Sequence, residues 1–385
     1  MINIVICEFN PFHNGHKYLI QEGARLTGAG ATVCIMSGHF VQRGEAAVLD
    51  KYQRAQIAVH NGADVVLQIP SAFTLGGAQV FARAAVEMAA ALNTPASLVF
   101  GAEDPDLSPL YSLCGICQSA VDTELRAGLN NGLSYGRALF EAYNKLDSDN
   151  AALLLKPNNL LAFEYMRAIL KIGADIKPRA VKRRGAAHDG CVPANGFASA
   201  SFIRANLLDE DVKKFMPQRV IDQIDRQKAD TVALFALKSV KREQLKGIAG
   251  VSEGLEHRII SAAKRAGDMP QFYKLAATKR YPLSRLRRIV ISLLVENKAG
   301  LHLTSVPYLR VLAFNDKGRA LLKDIKPRCQ KPVVIKPGNT PADGLAGRHF
   351  RLECRCTDIY DFLSKRPKAS GREFLEGPFY IREGK

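Results

Sequence analysis

The start of the chain constrains its fold more than any other stretch. Ile2 to Cys7 (INIVIC) reads as a buried strand, Glu8-Phe9-Asn10-Pro11-Phe12 as the turn after it, and from Gly15 the pattern is helical. Tyr18, Leu19 and Ala24 are the inward candidates on that helix. The turn carries His13-Asn14-Gly15-His16, so two histidines fall three residues apart in the first helical turn, on one face. A helix start exposes unpaired N–H groups and a partial positive charge. Two imidazoles added there make a cradle for phosphate.

The same alternation continues. Val33-Cys34-Ile35-Met36 is a second short strand, and Lys51 to Asn61 a helix ending near Gly62. Val65 to Ile69 is a third strand stopped by Pro70. Gln79 to Leu92 is an Ala-rich helix, and Ser97 to Phe100 a fourth strand ending at Gly101. Strands alternating with helices predict an α/β fold with a doubly wound parallel sheet. Ligands of such sheets bind beyond the carboxyl ends of the strands. Glu8–His16, Ser37–Arg43, Pro70–Gly77 and Gly101–Asp104 then face one crevice.

Charge divides the 385 residues unevenly. Residues 1–205 hold 18 Lys+Arg against 17 Asp+Glu, whereas residues 206–385 hold 36 against 20, a surplus of 16. A neutral first half and a strongly basic second half is the footprint of a nucleic-acid binder. We therefore expect a catalytic domain over 1–205 and a basic, mainly helical domain over 206–385. Arg285, Arg287 and Arg288 form one basic cluster, and the stretch from Lys323 to Lys331 another. The arginines interleave with an apolar stripe (Leu283, Leu286, Val290, Leu293), so some of them could brace the domain. Tyr273, Tyr281, Tyr308 and Phe314 are possible stacking platforms.

No apolar run is long enough for a membrane span, and the first residues lack the pattern of a signal peptide. Cysteines scattered through apolar runs, as at Cys7 and Cys34, fit reduced thiols and a cytoplasmic location. Cys114-x-x-Cys117 and Cys354-x-Cys356 could combine into a zinc site, but their separation is unusual and no metal is assigned.

Three further segments suit the crevice. Asn158 or Asn159 precedes a helical pattern from Leu160 to Lys171 and could cap it. Val181-Lys182-Arg183-Arg184-Gly185 brings cations after a predicted strand. Ser199-Ala200-Ser201-Phe202-Ile203-Arg204 begins another helix with hydroxyls and an arginine. Gln42-Arg43 lies in a loop at the same crevice and suits a ligand contact or a structural turn equally.

An H-x-G-H after a first strand, followed later by S-x-S-x-I-R, resembles the nucleotidyltransferase and class I synthetase superfamily. The resemblance is closer still to one family. F-N-P-F-H-N-G-H at 9–16, M-S-G-H-F-V-Q-R-G-E at 36–45, N-G-A-D-V-V at 61–66, F-G-A-E at 100–103, P-N-N-L-L at 157–161 and A-S-A-S-F-I-R at 198–204 are similar, in order and spacing, to the bacterial tRNA(Met) cytidine acetate ligases. After residue 205 the likeness thins to T-D-I-Y at 357–360. Family members join acetate to ATP as acetyl-adenylate and pass the acetyl group to N4 of the wobble cytidine of elongator tRNA(Met).

The resemblance implies an ATP site over Cys7-Glu8-Phe9-Asn10-Pro11-Phe12-His13-Asn14-Gly15-His16-Lys17-Tyr18-Leu19-Ile20, with Gly101, Asn158, Arg183, Ser199 and Ser201. It implies catalytic roles for His13, His16 and Arg204, with Mg²⁺ accompanying ATP. The sequence departs from the family at Phe9 (usually Tyr), at His39 (usually Asn), and in Gly185-Ala186-Ala187-His188-Asp189. Two other functions share these features. A small-molecule adenylyltransferase leaves the basic half without a role, and a tRNA-binding protein with a vestigial ATP site leaves the intact motifs without one.

Overall fold

The computed structural model describes residues 1–184, 196–340 and 343–382. Its strands are β1 (Ile2–Cys7), β2 (Ala31–Ser37), β3 (Phe40–Val41), β4 (Glu45–Ala46), β5 (Val65–Ile69), β6 (Ala96–Ala102), β7 (Ile176–Lys182), β8 (Leu309–Asn315), β9 (Val333–Val334) and β10 (Phe379–Ile381). Eight of them form one sheet in the order β10-β8-β5-β2-β1-β6-β7, with β9 also pairing β8. Every pairing in that sheet is parallel except β5 with β8. β3 and β4 make a separate antiparallel hairpin.

Helices cover both faces, so β2 and β5 are buried almost throughout, as parallel strands require. From β1 the chain steps outward through β2 to β5 and then returns to β1's other side for β6 and β7. β1 and β6 therefore flank the switch point, where a doubly wound sheet opens a crevice. Their register runs from Ile2↔Ala96 only to Ile4↔Leu98, so the strands part before their carboxyl ends. Gly101 lies inside β6 rather than after it.

The sequence reading placed strands only in the first half, yet β8, β9 and β10 come from residues 309–381. β8 (LRVLAFN) carries Arg310 in its midst, which masks a strand pattern. The guanidinium is buried and donates to the carbonyls of Val311, Ile335 and Glu376 at 3.1, 2.9 and 2.8 Å. β8 meets β5 only because the chain returns from far along the sequence, and no local pattern reports that. The rest of the C-terminal part is mainly helical. Helices Arg226–Ser239, Leu255–Arg265, Met269–Ala276, Leu283–Leu294 and Gly344–Leu363 share one apolar core, which also takes in Phe40, Ala46, Ala72 and Leu75.

Buried charge fastens this return. Lys51, on helix Lys51–His60, is fully buried and pairs with Glu373 at 2.5 Å. Tyr52 and Thr357 donate to the same carboxylate at 3.1 and 2.6 Å, and Arg310 stands 3.8 Å from it. Burial alone would raise the Glu373 carboxyl, but Lys51 and Arg310 outweigh that and hold it low. Gln68 on β5 donates to Glu353 of helix Gly344–Leu363, which also accepts from the Ser71 N–H at 2.5 Å. Arg372 bridges Asp361 and Asp50 at 2.7 and 3.0 Å. No described helix is long and apolar enough to cross a membrane.

Removing one partner of a buried pair strands the other charge, at a cost of about 3–5 kcal/mol. Glu373→Ala should therefore lower the urea unfolding free energy by about that much. A change under about 1 kcal/mol, the range of exposed pairs, would show that the cluster is solvated.

Candidate active site

The turn between β1 and helix Asn14–Thr27 is built around two imidazoles. His13 is the helix N-cap, one residue before the helix, rather than part of its first turn as the sequence suggested. Its Nδ1 accepts from the Gly15 N–H at 3.1 Å, and the Nδ1 of His16 accepts from the His13 N–H at 3.3 Å. This is a capping box made of histidines. A methyl group on Gly15 would come within 2.9 Å of the His13 ring, so the ring can fold back only over a glycine. The two rings stack at 3.7 Å, and Phe9 meets His16 edge-on at 5.0 Å. The helix itself buries Ile20 and Gly23 rather than Tyr18, Leu19 and Ala24, which stay half-buried.

With each Nδ1 accepting, each ring carries its proton on Nε2. Burial, then the cations Arg183 and Arg204, push His13 down to about 3. Burial, His13 and Arg183 push His16 down as well. Both rings are therefore neutral N–H donors in the free protein.

A cavity of about 1310 Å³ opens in front of them. Of the segment Cys7 to Ile20, it is lined by Cys7, Glu8, Phe9, Asn10, His13, Gly15, His16, Tyr18 and Leu19. Pro11, Phe12, Asn14, Lys17 and Ile20 are not at its surface. Phe12 and Ile20 are core residues, and Asn14 donates to the carbonyls of Gly196 and Lys214.

The other candidates converge on the same space. Gly101, Asn158, Arg183, Ser199, Ser201 and Arg204 all line it. A side chain at Gly101 would press the Arg183 stem at 3.3 Å. Asn158 does not cap a helix, because helix Pro157–Ile172 begins before it with Lys156 as N-cap. Its side-chain nitrogen is buried without a partner among the described residues, and the residue lines the cavity, whereas Asn159 does not. Ser199 is an ordinary N-cap that accepts from the Phe202 N–H at 3.1 Å. Arg204 donates to the Asn10 carbonyl at 2.7 Å and pairs with Glu45 at 3.3 Å. Gly185, Ala186, Ala187, His188 and Asp189 lie outside the described residues.

Helix Leu283–Leu294 supplies the opposite wall, with Arg285, Arg287 and Arg288 all lining the cavity. Sequence reasoning had set these arginines apart from the ATP-site motifs. Arg288 donates to the Gln42 carbonyl at 3.2 Å, and Arg285 to Ser252 Oγ at 2.8 Å. Arg287 stands over the Tyr273 ring at 5.9 Å. The stretch from Lys323 to Lys331 is away from the cavity, where Arg328 pairs with Asp324 and Lys331 with Glu87.

Arg54 carried no signal in the sequence. It is fully buried, and it donates to the carbonyls of Glu8, Ser37 and Leu49 at 2.5, 3.3 and 3.1 Å and to that of Gly38. It thus ties the ends of β1 and β2 beneath the cavity floor. His39, a family departure, lies behind the cavity wall and stacks on Tyr360 at 4.5 Å. Cys114, Cys354 and Cys356 belong to three different apolar clusters. Among the described residues no group of three or more His, Cys, Asp or Glu is placed to hold a metal.

The chain is similar to known proteins over nearly its whole length. A profile of the HIGH Nucleotidyl Transferase family matches residues 2–373. The tRNA(Met) cytidine acetate ligase of Thermoanaerobacter sp. (strain X514) is 32% identical, over 96% of this chain and 97% of its own. That of Bacillus licheniformis is also 32% identical, over 94% and 92%. The crystal structure of Thermotoga maritima TmcAL bound with alpha-thio ATP superposes with a TM-score of 0.89 at 28% identity, covering 99% of both chains.

The imidazole geometry has a direct readout. NMR titration of the free protein should show the His13 ring neutral from pH 8 down to 5, because its folded value of about 3 lies below that window. A His13 titration centred near its ordinary 6.5 would contradict the cap.

Proposed function

We infer the reaction from one premise: this chain belongs to the tRNA(Met) cytidine acetate ligase family, within the HIGH nucleotidyl transferases. It is an ATP-dependent ligase that activates acetate as acetyl-adenylate and acetylates N4 of the wobble cytidine of elongator tRNA(Met). The observation that carries this reading is one cavity with two walls. The histidine cap and the first-half motifs form one wall, and the arginine helix forms the other. Small-molecule sites span roughly 300–1,000 Å³. A cavity of about 1310 Å³ has room for ATP and for a base from a second substrate.

The residues suit the chemistry. The triphosphate sits at the helix N-terminus, with His13 and His16 donating Nε2–H to its oxygens and Arg183 and Arg204 adding charge. Asn158 offers its free amide, and Gly101 permits close approach. A carboxylate oxygen of acetate attacks the α-phosphorus, and the bond to the β-phosphate oxygen breaks as pyrophosphate leaves. N4 of cytosine then attacks the acetyl carbonyl and AMP departs with the bonding pair, while N4 gives up its proton. Glu8 is the one carboxylate among the described lining residues, so Mg²⁺ would be held chiefly by ATP's own phosphates, whose charge it neutralises.

Residues 1–205 thus supply the activation wall, and the basic residues after 205 dock the tRNA. The enzyme works in the cytoplasm, where tRNA is found. The test is to incubate the protein with ATP and acetate, with and without elongator tRNA(Met). Pyrophosphate release should require acetate, and nucleoside analysis should show N4-acetylcytidine. Release without acetate, or acetate-independent adenylyl transfer to a small molecule, would overturn the reading.

Three variants separate the walls. His13→Ala and His16→Ala should fold but lose about 10²–10³ in adenylation rate, the cost of one preorganised donor. Arg287→Glu should keep acetate-dependent pyrophosphate release and weaken tRNA binding, with a salt slope shallower by about one phosphate. Unchanged tRNA affinity would move the docking surface elsewhere.

A further inference from the structure

The ligase reading leaves open what holds acetate itself, and the turn joining β3 to β4 answers it. We propose that Arg43 is the carboxylate-binding residue for acetate, a site that rests on the ligase reading and adds a named group to it.

The cationic side chains of the cavity differ in what already occupies them. Arg204 is tied to the Asn10 carbonyl and Glu45, Arg288 to the Gln42 carbonyl, and Arg285 to the Gly250 carbonyl and Ser252. Arg183 lies beside Gly101 and is among the charges acting on both His13 and His16, which puts it on the phosphate side. Arg43 is half-buried, lines the cavity, and donates to Ser201 Oγ at 3.1 Å. Among the described residues it forms no ion pair within 4.0 Å. A guanidinium with free donors in a partly desolvated space is the preferred partner of a carboxylate, which it can grip with two parallel hydrogen bonds.

The turn that presents Arg43 is held from both sides. Glu8 accepts the Gln42 N–H at 2.6 Å, while Arg288 donates to the Gln42 carbonyl. Gly44 has φ +78°, and a side chain there would meet the Arg288 nitrogen at 2.5 Å, so the turn lies directly on the arginine helix. Arg43 is therefore fixed between two walls. Ser201 and Arg204 stand on the phosphate side, and Arg288 stands on the side from which a tRNA base arrives. The reaction requires a carboxylate in that position, within reach of the α-phosphate first and of N4 second. Burial raises the Glu8 carboxyl, while the Gln42 N–H and the charge of Arg43 act to lower it.

In this arrangement one acetate oxygen stays on the guanidinium while the other attacks the α-phosphorus. A P–O bond forms, the α–β bridge breaks, pyrophosphate leaves with the electron pair, and no proton moves. The oxygen retained on Arg43 becomes the carbonyl oxygen of the mixed anhydride, so the same contact polarises it for attack by N4.

Arg43→Gln and Arg43→Lys test this against wild type in two assays, ATP binding without acetate and acetate-dependent pyrophosphate release. We expect KM for acetate to rise about 10- to 100-fold in Arg43→Gln, with partial recovery in Arg43→Lys. ATP affinity should be unchanged in both, which also shows that they fold. Weakened ATP binding with KM for acetate unmoved would place Arg43 on the phosphates instead. No change in either quantity would reduce it to a structural turn residue. A wild-type protein without acetate-dependent release would remove the ligase reading and this site together.

Discussion

In the turn after β1 the Nδ1 atoms of His13 and His16 both accept backbone N–H groups, and the chemistry of the cavity follows from that arrangement. A helix cap is usually a hydroxyl or carboxylate. An imidazole in that role uses one ring nitrogen for the fold and leaves the other as a donor. Two such rings at a helix N-terminus form a donor array that needs no protonation to meet phosphate. Burial and nearby arginines keep both rings neutral, so each offers an Nε2–H donor in the free protein.

The position of that array depends on the sheet. β1 and β6 part at the switch point, Arg54 ties the ends of β1 and β2, and β8 returns from the C-terminal half to extend the sheet beyond β5. The buried Lys51–Glu373 pair and its neighbours fix that return. Because the chain comes back, the arginine helix packs against the hairpin of β3 and β4 and closes the cavity from the far side. On the proposed function, activation and acetyl transfer then share one cavity, so the reactive anhydride need not leave it.

The sequence carried much of this where local patterns reflect local forces. The spans of β1 and β5 match the strand reading to the residue, since apolar runs with turn signals at their ends leave little choice. The motif residues His13, His16, Gly101, Asn158, Arg183 and Arg204 do meet at one cavity. Long-range features were hidden. Arg310 disguises β8, Arg54 looks like any helical arginine, and nothing local shows that Arg288 reaches Gln42. Cap geometry was also hidden, because whether His13 caps or follows the helix start depends on its backbone angles, which are extended. The basic cluster was legible as charge but not as the far wall of the cavity that His13 and His16 line.

Acetate labelled with ¹⁸O in both oxygens follows the central bond directly. Attack of its carboxylate on the α-phosphorus, followed by acetyl transfer to N4, leaves one labelled oxygen in AMP. The cavity described here predicts AMP bearing a single ¹⁸O, formed in step with N4-acetylcytidine. Unlabelled AMP, or label recovered in orthophosphate alongside ADP, would show that acetate is activated at another phosphate and would contradict the account.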